Sequence, residues 1–184
     1  DSDGIDDFLV TAPHNDRYGT NKGTAYIVLG GGLAPLGGEY DITDADYVFV
    51  GENNSDYAFS FAEHVGDVDA DGVPDYVFTA PGNDDWEDSD GKAYLVFGQD
   101  ILDDADGVTY LDDSRFQFLG EHGDQLQALA GGDVDGDGFD DFFVAGARND
   151  ELESNQGKVY LYTSASIYAK PYDINLESTA RNYR

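Results

Sequence analysis

Aspartate residues recur in three short segments that have the spacing of a metal-binding loop. Residues 66–75 read GDVDADGVPD and residues 132–141 read GDVDGDGFDD, so each nine-residue loop has Asp at positions 1, 3, 5 and 9 and Gly at position 6. Carboxylates at alternate positions of a tight turn can converge on one hard cation, and Ca²⁺ takes about six to eight oxygen ligands. The glycine permits the sharp turn that such a loop needs. The spacing therefore predicts two complete calcium sites.

The predicted ligands in each loop are the Asp carboxylates and the backbone carbonyl of position 7. A third copy of the pattern opens the sequence and lacks position 1, so we expect a partial site there. We refer to residues 1–7, 67–75 and 133–141 as the first, second and third acidic loops. The ligands are Asp67, Asp69, Asp71, Val73 and Asp75 in the second loop, Asp133, Asp135, Asp137, Phe139 and Asp141 in the third, and Asp1, Asp3, Ile5 and Asp7 in the first.

Other interpretations of the loops are weaker. An EF-hand loop begins in the same way but needs an acidic residue at position 12 and flanking helices. Position 12 is Phe78 or Val144, each inside an apolar run typical of a strand, which excludes an EF-hand. Mg²⁺ requires a stricter octahedron, so Ca²⁺ is preferred, and Mn²⁺ stays open. Asp and Gly also favour ordinary turns, but four carboxylates in nine residues repel one another without a cation. We expect a structural role for the ion.

The same pattern recurs at a nearly constant spacing along the chain. Its position-6 glycines, Gly4, Gly72 and Gly138, are 68 and 66 residues apart. A period of this size is typical of stacked units that are too small to bury a core alone. In the second unit short apolar runs at 57–65, 76–80, 93–98 and 115–120 predict four antiparallel strands, which describes a propeller blade. We predict an all-β fold with units at 1–56, 57–121 and 122–184. The tail, 164–184, is interpreted either as a fourth strand plus a connection or as a frayed or transplanted end.

Three further segments accompany the acidic loops. They read DFLVTAP at 7–13, DYVFTAP at 75–81 and GKAYLVFG at 91–98. Together with the loops they resemble the FG-GAP repeats of the integrin α-subunit β-propeller, although Thr replaces the family's Gly and residues 145–148 lose its Pro. The resemblance implies a propeller of usually seven blades, of which this chain supplies about three. It also implies Ca²⁺ between the first two strands of a blade, an extracellular setting, and adhesion or ligand recognition.

The charge excludes some classes of partner. With 39 acidic and 9 basic side chains the formal net charge is -30, which repels nucleic acid and anionic membranes. No apolar run approaches the ~20 residues that span a bilayer, so no membrane insertion is expected. The acidic runs outside the loops are interpreted as a solvated face. Such a surface also fits a protein from a high-salt organism, because salt screens self-repulsion.

Catalysis is not expected. There is no Cys, GxSxG or HExxH, and His14, His64 and His122 are scattered in positions that favour structural or surface roles. Trp86 could stack on a sugar, although local packing is the more common role of a lone loop Trp. We therefore predict a non-catalytic, extracellular or cell-surface module that binds Ca²⁺ and a protein or glycan ligand. Two alternatives are an accessory propeller of a secreted hydrolase, lyase or phospholipase, and a structural subunit of a surface filament. Because the sequence opens inside a metal loop, we expect further blades from the same polypeptide or from neighbouring chains.

Overall fold

A computed structural model describes residues 3–32, 39–85, 90–121, 123–149, 156–168 and 173–175. In these residues the chain forms short strands, with two α-helices of six and five residues and a few single turns of 3-10 helix. The all-β prediction is confirmed. In chain order the elements are β1 (Phe8–Ala12), β2 (Thr24–Val28), β3 (Tyr47–Val50), β4 (Phe61–Gly66), β5 (Asp75–Ala80), β6 (Lys92–Val96), α1 (Gly98–Asp103), β7 (Val108–Tyr110), β8 (Phe116–Leu119), β9 (Leu126–Gly132), β10 (Asp141–Gly146), β11 (Lys158–Tyr162), α2 (Ser164–Tyr168) and β12 (Asp173–Asn175).

The strands form three blade-like sheets. Sheet A has the order β1-β2-β3-β7, sheet B the order β12-β8-β6-β5-β4, and sheet C the order β11-β10-β9. Within each unit consecutive strands pair antiparallel, as the repeat predicts. Sheet B contains the four antiparallel strands expected of a complete blade.

Two short strands pair with the sheet of the preceding unit. β7 follows β6 in the chain but pairs parallel with β3, so that Phe49 lies opposite Thr109 in sheet A. β12 follows β11 and pairs parallel with β8 in the same way, with Phe118 opposite Ile174. Each connection therefore adds an outer strand to the neighbouring sheet and ties the two units together.

The second of these pairings corrects the prediction for the tail. Residues 164–168 are helical and residues 173–175 pair in sheet B, so the described part of the tail is not a fourth strand of sheet C. The serine hydroxyl of Ser166 caps the turn by donating to the carbonyl of Thr163 (2.7 Å). The remaining tail residues, 169–172 and 176–184, lie outside the described part of the chain.

The predicted start of the first strand in the second unit is also wrong. The strand begins at Phe61 rather than at Tyr57. Tyr57 and Phe59 have left-handed backbone, with φ of 52° and 66°, which a strand cannot contain. The turn is held because Tyr57 N–H donates to the carbonyl of Asn21 and Ser60 Oγ donates to the carbonyl of Tyr57.

Two apolar cores hold the three sheets together. Between sheets A and B, the ring of Phe78 lies 5.0 Å from that of Phe49 and 5.1 Å from that of Phe59, centroid to centroid. Between sheets B and C, the ring of Phe118 lies 4.6 Å from that of Tyr162. All five side chains are buried, so sheet B is covered on both faces. Burial of this kind supplies the main stabilisation of short strands.

Candidate metal centre

The second and third acidic loops occupy equivalent places in two sheets. The second loop connects β4 to β5 and the third connects β9 to β10. Each hairpin has a shift of register directly before its loop, between His64 and Gly66 in one and opposite the Asp141–Phe142 step in the other. A β-bulge of this kind adds one residue and bends the strand. The sequence repeat is therefore also a repeat of local structure.

Both loops bring three of their four predicted carboxylates together. One oxygen from each residue lies within 4.8 Å of the others. Ligands of one Ca²⁺ ion, at about 2.3–2.6 Å each, lie no more than about 5 Å apart. The spacing therefore fits a single cation in each loop, whose charge would offset the repulsion between the carboxylates. The residues are Asp67, Asp69 and Asp71 in the second loop, and Asp133, Asp135 and Asp141 in the third.

Backbone amides orient the carboxylate at position 1. Asp67 accepts hydrogen bonds from the N–H groups of Asp71 and Gly72, both at 3.0 Å. Asp133 likewise accepts from the N–H groups of Asp137 (3.0 Å) and Gly138 (3.1 Å). A carboxylate has about four lone-pair sites, so these bonds leave acceptor capacity for a cation.

The position-6 glycines adopt the backbone that the sequence predicts for them. Gly4, Gly72 and Gly138 have φ of 90°, 90° and 94°, a conformation that side chains disfavour. Position 4 is also left-handed, at Ala70 with φ of 56° and Gly136 with φ of 79°. The second loop therefore carries a strained alanine where the third has glycine.

The carboxylate at position 9 ties each loop to its own sheet. Asp75 Oδ2 accepts from Val68 N–H and its Oδ1 from Gly98 N–H, both at 2.8 Å. The same bonds recur from Asp141 to Val134 N–H (2.8 Å) and Ser164 N–H (3.3 Å). In the first unit, Asp7 Oδ1 accepts from the N–H of Gly30 (2.9 Å). Position 9 thus serves as a structural tie in all three units.

Burial makes the position-9 carboxylate in the second loop easy to protonate. Asp75 has no exposed surface. Burial raises its pKa to about 7, with a further contribution from Asp69 and Asp71, and the two backbone hydrogen bonds only partly oppose this shift. A cation bound nearby would favour the ionised form, so it would compete with protonation at this residue.

The first acidic loop is described only in part. Asp3 Oδ1 accepts a hydrogen bond from the backbone N–H of Ile5 at 2.8 Å, and Asp7 lies at the end of the loop as noted above. Asp1 lies outside the described residues. The partial site there stays a prediction.

A second polar arrangement lies at the opposite end of the sheets, and the sequence did not predict it. In sheet B, Lys92 pairs with Ala80 at the end of β5 farthest from the acidic loop. Its Nζ lies 2.7 Å from Glu52 Oε2 and 2.9 Å from Asp85 Oδ2. The hydroxyl of Tyr94 donates to the same Glu52 oxygen at 2.7 Å. The cluster joins the loop before sheet B to the loop within it.

The third unit repeats this arrangement. Lys158 Nζ lies 3.0 Å from Glu121 Oε1, and the hydroxyl of Tyr160 donates to the same oxygen at 3.1 Å. Burial alone would lower the pKa of Lys92, but the two carboxylates beside it hold that pKa above its usual value. The signal in the sequence is the Lys-x-Tyr pattern, which occurs at residues 92–94 and again at residues 158–160.

The two described histidines stay candidates for structural roles. His14 contacts the ring of Tyr57, with its Nδ1 3.3 Å from Asn21 Oδ1, and His64 contacts the ring of Tyr76. Trp86 and His122 lie outside the described residues.

Comparison with known families identifies the repeat. Residues 126–162 match the FG-GAP repeat family, and this segment comprises β9, the third acidic loop, β10 and β11. This segment therefore matches the FG-GAP repeat, a type of unit found in propeller-type ligand-binding modules that are generally non-catalytic and typically extracellular. Neither described α-helix has the length or the hydrophobicity to cross a membrane.

Proposed function

We propose that this chain is a calcium-binding, extracellular FG-GAP propeller module that recognises a protein or glycan ligand and has no catalytic activity of its own. The match at 126–162 supports a binding module. The equivalent structure of the second unit extends the same interpretation to residues 61–96. The calcium sites are the second and third acidic loops, with a partial site in the first.

One observation carries the calcium proposal. In two equivalent hairpins, one oxygen from each of three aspartates lies within 4.8 Å of the others. Crowding of this kind is unfavourable between like charges, and it is relieved by a hard cation that takes oxygen ligands. Because the loop lies between the first two strands of a sheet, the cation would hold that hairpin closed.

Thermal unfolding with and without chelator tests this proposal. We expect Ca²⁺ to raise the melting temperature above that in EGTA, since a ligand at 100 times its Kd contributes about 2.7 kcal/mol per site. Asp71→Ala should reduce the calcium-dependent part of the shift. Asp113→Ala, at an exposed aspartate outside the loops, is the matched control and should preserve it. Identical melting curves in Ca²⁺ and EGTA would contradict the proposal.

We also propose that the outer face of sheet C packs against a further blade, of the same polypeptide or of a neighbouring chain. Val159 and Leu161 are 61% and 42% exposed, whereas the residues at the equivalent places of sheet B, Ala93 and Leu95, are fully buried against sheet C. In sheet B the equivalent face is thus covered by the next sheet, and we expect the same for the exposed face of sheet C. Light scattering tests packing between chains: Leu161→Lys should reduce any association, and a chain that is monomeric at every concentration contradicts it.

The acidic surface supports a high-salt setting. At a net charge of -30, self-repulsion destabilises the compact state, and salt screens it over about 10 Å at 0.1 M and about 3 Å at 1 M. We expect the melting temperature in EGTA to rise steadily with KCl up to molar concentrations. A melting temperature that is independent of KCl would contradict the high-salt proposal.

A further inference from the structure

The second and third acidic loops contact each other through one residue that belongs to neither predicted ligand set. Asp140 occupies position 8 of the third loop, directly before Asp141. Its Oδ2 accepts a hydrogen bond from the backbone N–H of Asp67 at 2.9 Å. Its own backbone N–H donates to the carbonyl of Asp67 at 3.2 Å. Asp140 therefore holds the backbone of Asp67, position 1 of the second loop, on both sides of its Cα.

The neighbouring hairpin has room for this side chain. A Cβ added at Gly66, which has φ of +92°, would overlap the carboxylate of Asp140. At the equivalent Gly132 nothing lies within 4 Å of such a Cβ. Glycine at 66 therefore has a second purpose beyond its backbone conformation, which is to let Asp140 approach.

The contact is particular to this pair of loops. Position 8 is Pro74 in the second loop, which has no N–H to donate and no side-chain acceptor. It is Asp6 in the first loop, where the side chain is exposed. Of the three position-8 residues, Asp140 is the one that accepts from the N–H of Asp67 and donates to its carbonyl.

We propose that Asp140 couples the two acidic loops, so that a cation in the third loop strengthens cation binding in the second, and the reverse. The inference rests on the proposed function, since it requires a cation in each loop. A cation that fixes Asp141 also fixes the adjoining Asp140, and Asp140 in turn fixes the backbone of Asp67. Because the Asp67 carboxylate belongs to the second cation group, less conformational freedom is then lost when that group binds. Such coupling is reciprocal by thermodynamic linkage.

Asp140 acts here as a positioning residue, and calorimetric titration with Ca²⁺ alone tests it. In Asp140→Ala we expect the affinity of the second loop to fall about fivefold to tenfold, within the usual range of coupling between sites. Asp140→Asn keeps an oxygen that can accept from Asp67 N–H, so it should stay within about twofold of the wild type. Asp6→Ala removes a carboxylate from the same position of the first loop and serves as the matched control.

A double-mutant cycle separates coupling from a general loss of structure. Asp135→Ala disables the third loop and should weaken the second loop by the same factor as Asp140→Ala. The Asp135→Ala/Asp140→Ala double variant should be no weaker than either single variant, since both remove one coupling. Melting in EGTA, compared across all variants, reports on folding independently of cation binding.

The outcomes distinguish this inference from the proposed function. No binding of Ca²⁺ by the wild type would contradict both. Binding of Ca²⁺ with an unchanged second-loop affinity in Asp140→Ala would contradict the coupling alone. An Asp140→Asn variant as weak as Asp140→Ala would also contradict it, because the effect would then come from charge rather than from the hydrogen bond. Additive losses of second-loop affinity in the double variant would also contradict the coupling.

Discussion

The second and third acidic loops share one ligand pattern but differ in their surroundings. Asp67 and Asp69 are partly buried, and the neighbouring unit grips the second loop through Asp140. Asp133 and Asp135 are exposed. In the third loop Ser164 Oγ donates to Asp137 Oδ2 at 3.1 Å, at the place where the second unit has Gly98. The spacing of aspartates thus specifies a loop, whereas its neighbours decide how well its carboxylates are held.

The two loops also differ in which of their carboxylates come together. In the second loop positions 1, 3 and 5 come together, and in the third loop positions 1, 3 and 9 do so. The serine hydroxyl on Asp137 accounts for the change at position 5, since it engages one oxygen of that residue. We therefore expect the second loop to bind Ca²⁺ more tightly than the third.

The largest expected effect is a dependence on pH that the second loop produces. The pKa of Asp75 is about 7 in the folded chain and about 4 in an unfolded one. The folded state therefore binds this proton more tightly, so the contribution of Asp75 to stability in EGTA is greatest below about pH 4 and falls, by a few kcal/mol, as the pH rises to about 7. Urea unfolding in EGTA across this range measures the fall.

Two controls belong to the pH experiment. Saturating Ca²⁺ should flatten the profile, because the cation stabilises the ionised carboxylate as the proton leaves. Asp75→Asn does not titrate at this position and should lose the same component. If the wild type and Asp75→Asn show the same change of stability between pH 4 and pH 7 in EGTA, the account of Asp75 is contradicted.

Removing the position-9 tie should destabilise the second unit more than the third. Asp75→Ala leaves the buried N–H groups of Val68 and Gly98 without their acceptor, at a cost of about 3 kcal/mol. Asp141→Ala should cost about 1 kcal/mol less, since its bond to Ser164 N–H is longer, at 3.3 Å against 2.8 Å. Denaturant unfolding in Ca²⁺ at pH 7 compares the two variants. Equal losses of stability would contradict the expected difference between the second and third units.

The lysine clusters give the next difference between the units. The Lys92 side chain is 5% exposed, whereas that of Lys158 is 20% exposed. Lys92→Met should cost about 2 kcal/mol because it leaves the partly buried Glu52 carboxylate without its cation. Lys158→Met should cost about 1 kcal/mol. Unfolding in urea checks the order, and a larger loss at Lys158 would reverse it.

The smallest effect concerns position 4. Ala70→Gly should stabilise the second loop by about 0.5 kcal/mol. The strain of a left-handed alanine is larger than the backbone entropy that a glycine loses on folding, so the exchange is favourable. The reciprocal Gly136→Ala should destabilise the third loop by a similar amount. Thermal unfolding of the pair detects the opposite signs, and a shift of the same sign in both would contradict the assignment of strain.

The sequence predicted the local part of this structure well. The period located both hairpins, and the position-6 glycines have the positive φ that the loop pattern requires. Both follow from residues that are close in the chain. The β-strand segments of each unit were recognisable for the same reason, because short apolar runs bounded by turn residues are typical of buried strands.

The interactions between units could not be predicted in this way. β7 and β12 are three residues long, and they pair in parallel with strands of the preceding unit, so no local pattern marks them. The Glu52–Lys92 pair spans 40 residues, and the Asp140–Asp67 contact spans 73. Position 8 is Asp, Pro and Asp in the three loops. The role of Asp140 at this position becomes visible only once β4 and β9 are known to lie side by side.

Counting the calcium ions bound per chain tests the central claim most directly. Equilibrium dialysis should give at least two ions on the wild type, one fewer on Asp69→Ala, one fewer on Asp135→Ala, and two fewer on the double variant. These aspartates occupy position 3 of the second and third loops and belong to the two gathered groups. A calcium count that is the same in the wild type and in the double variant would show that the ions bind elsewhere, and it would contradict the account.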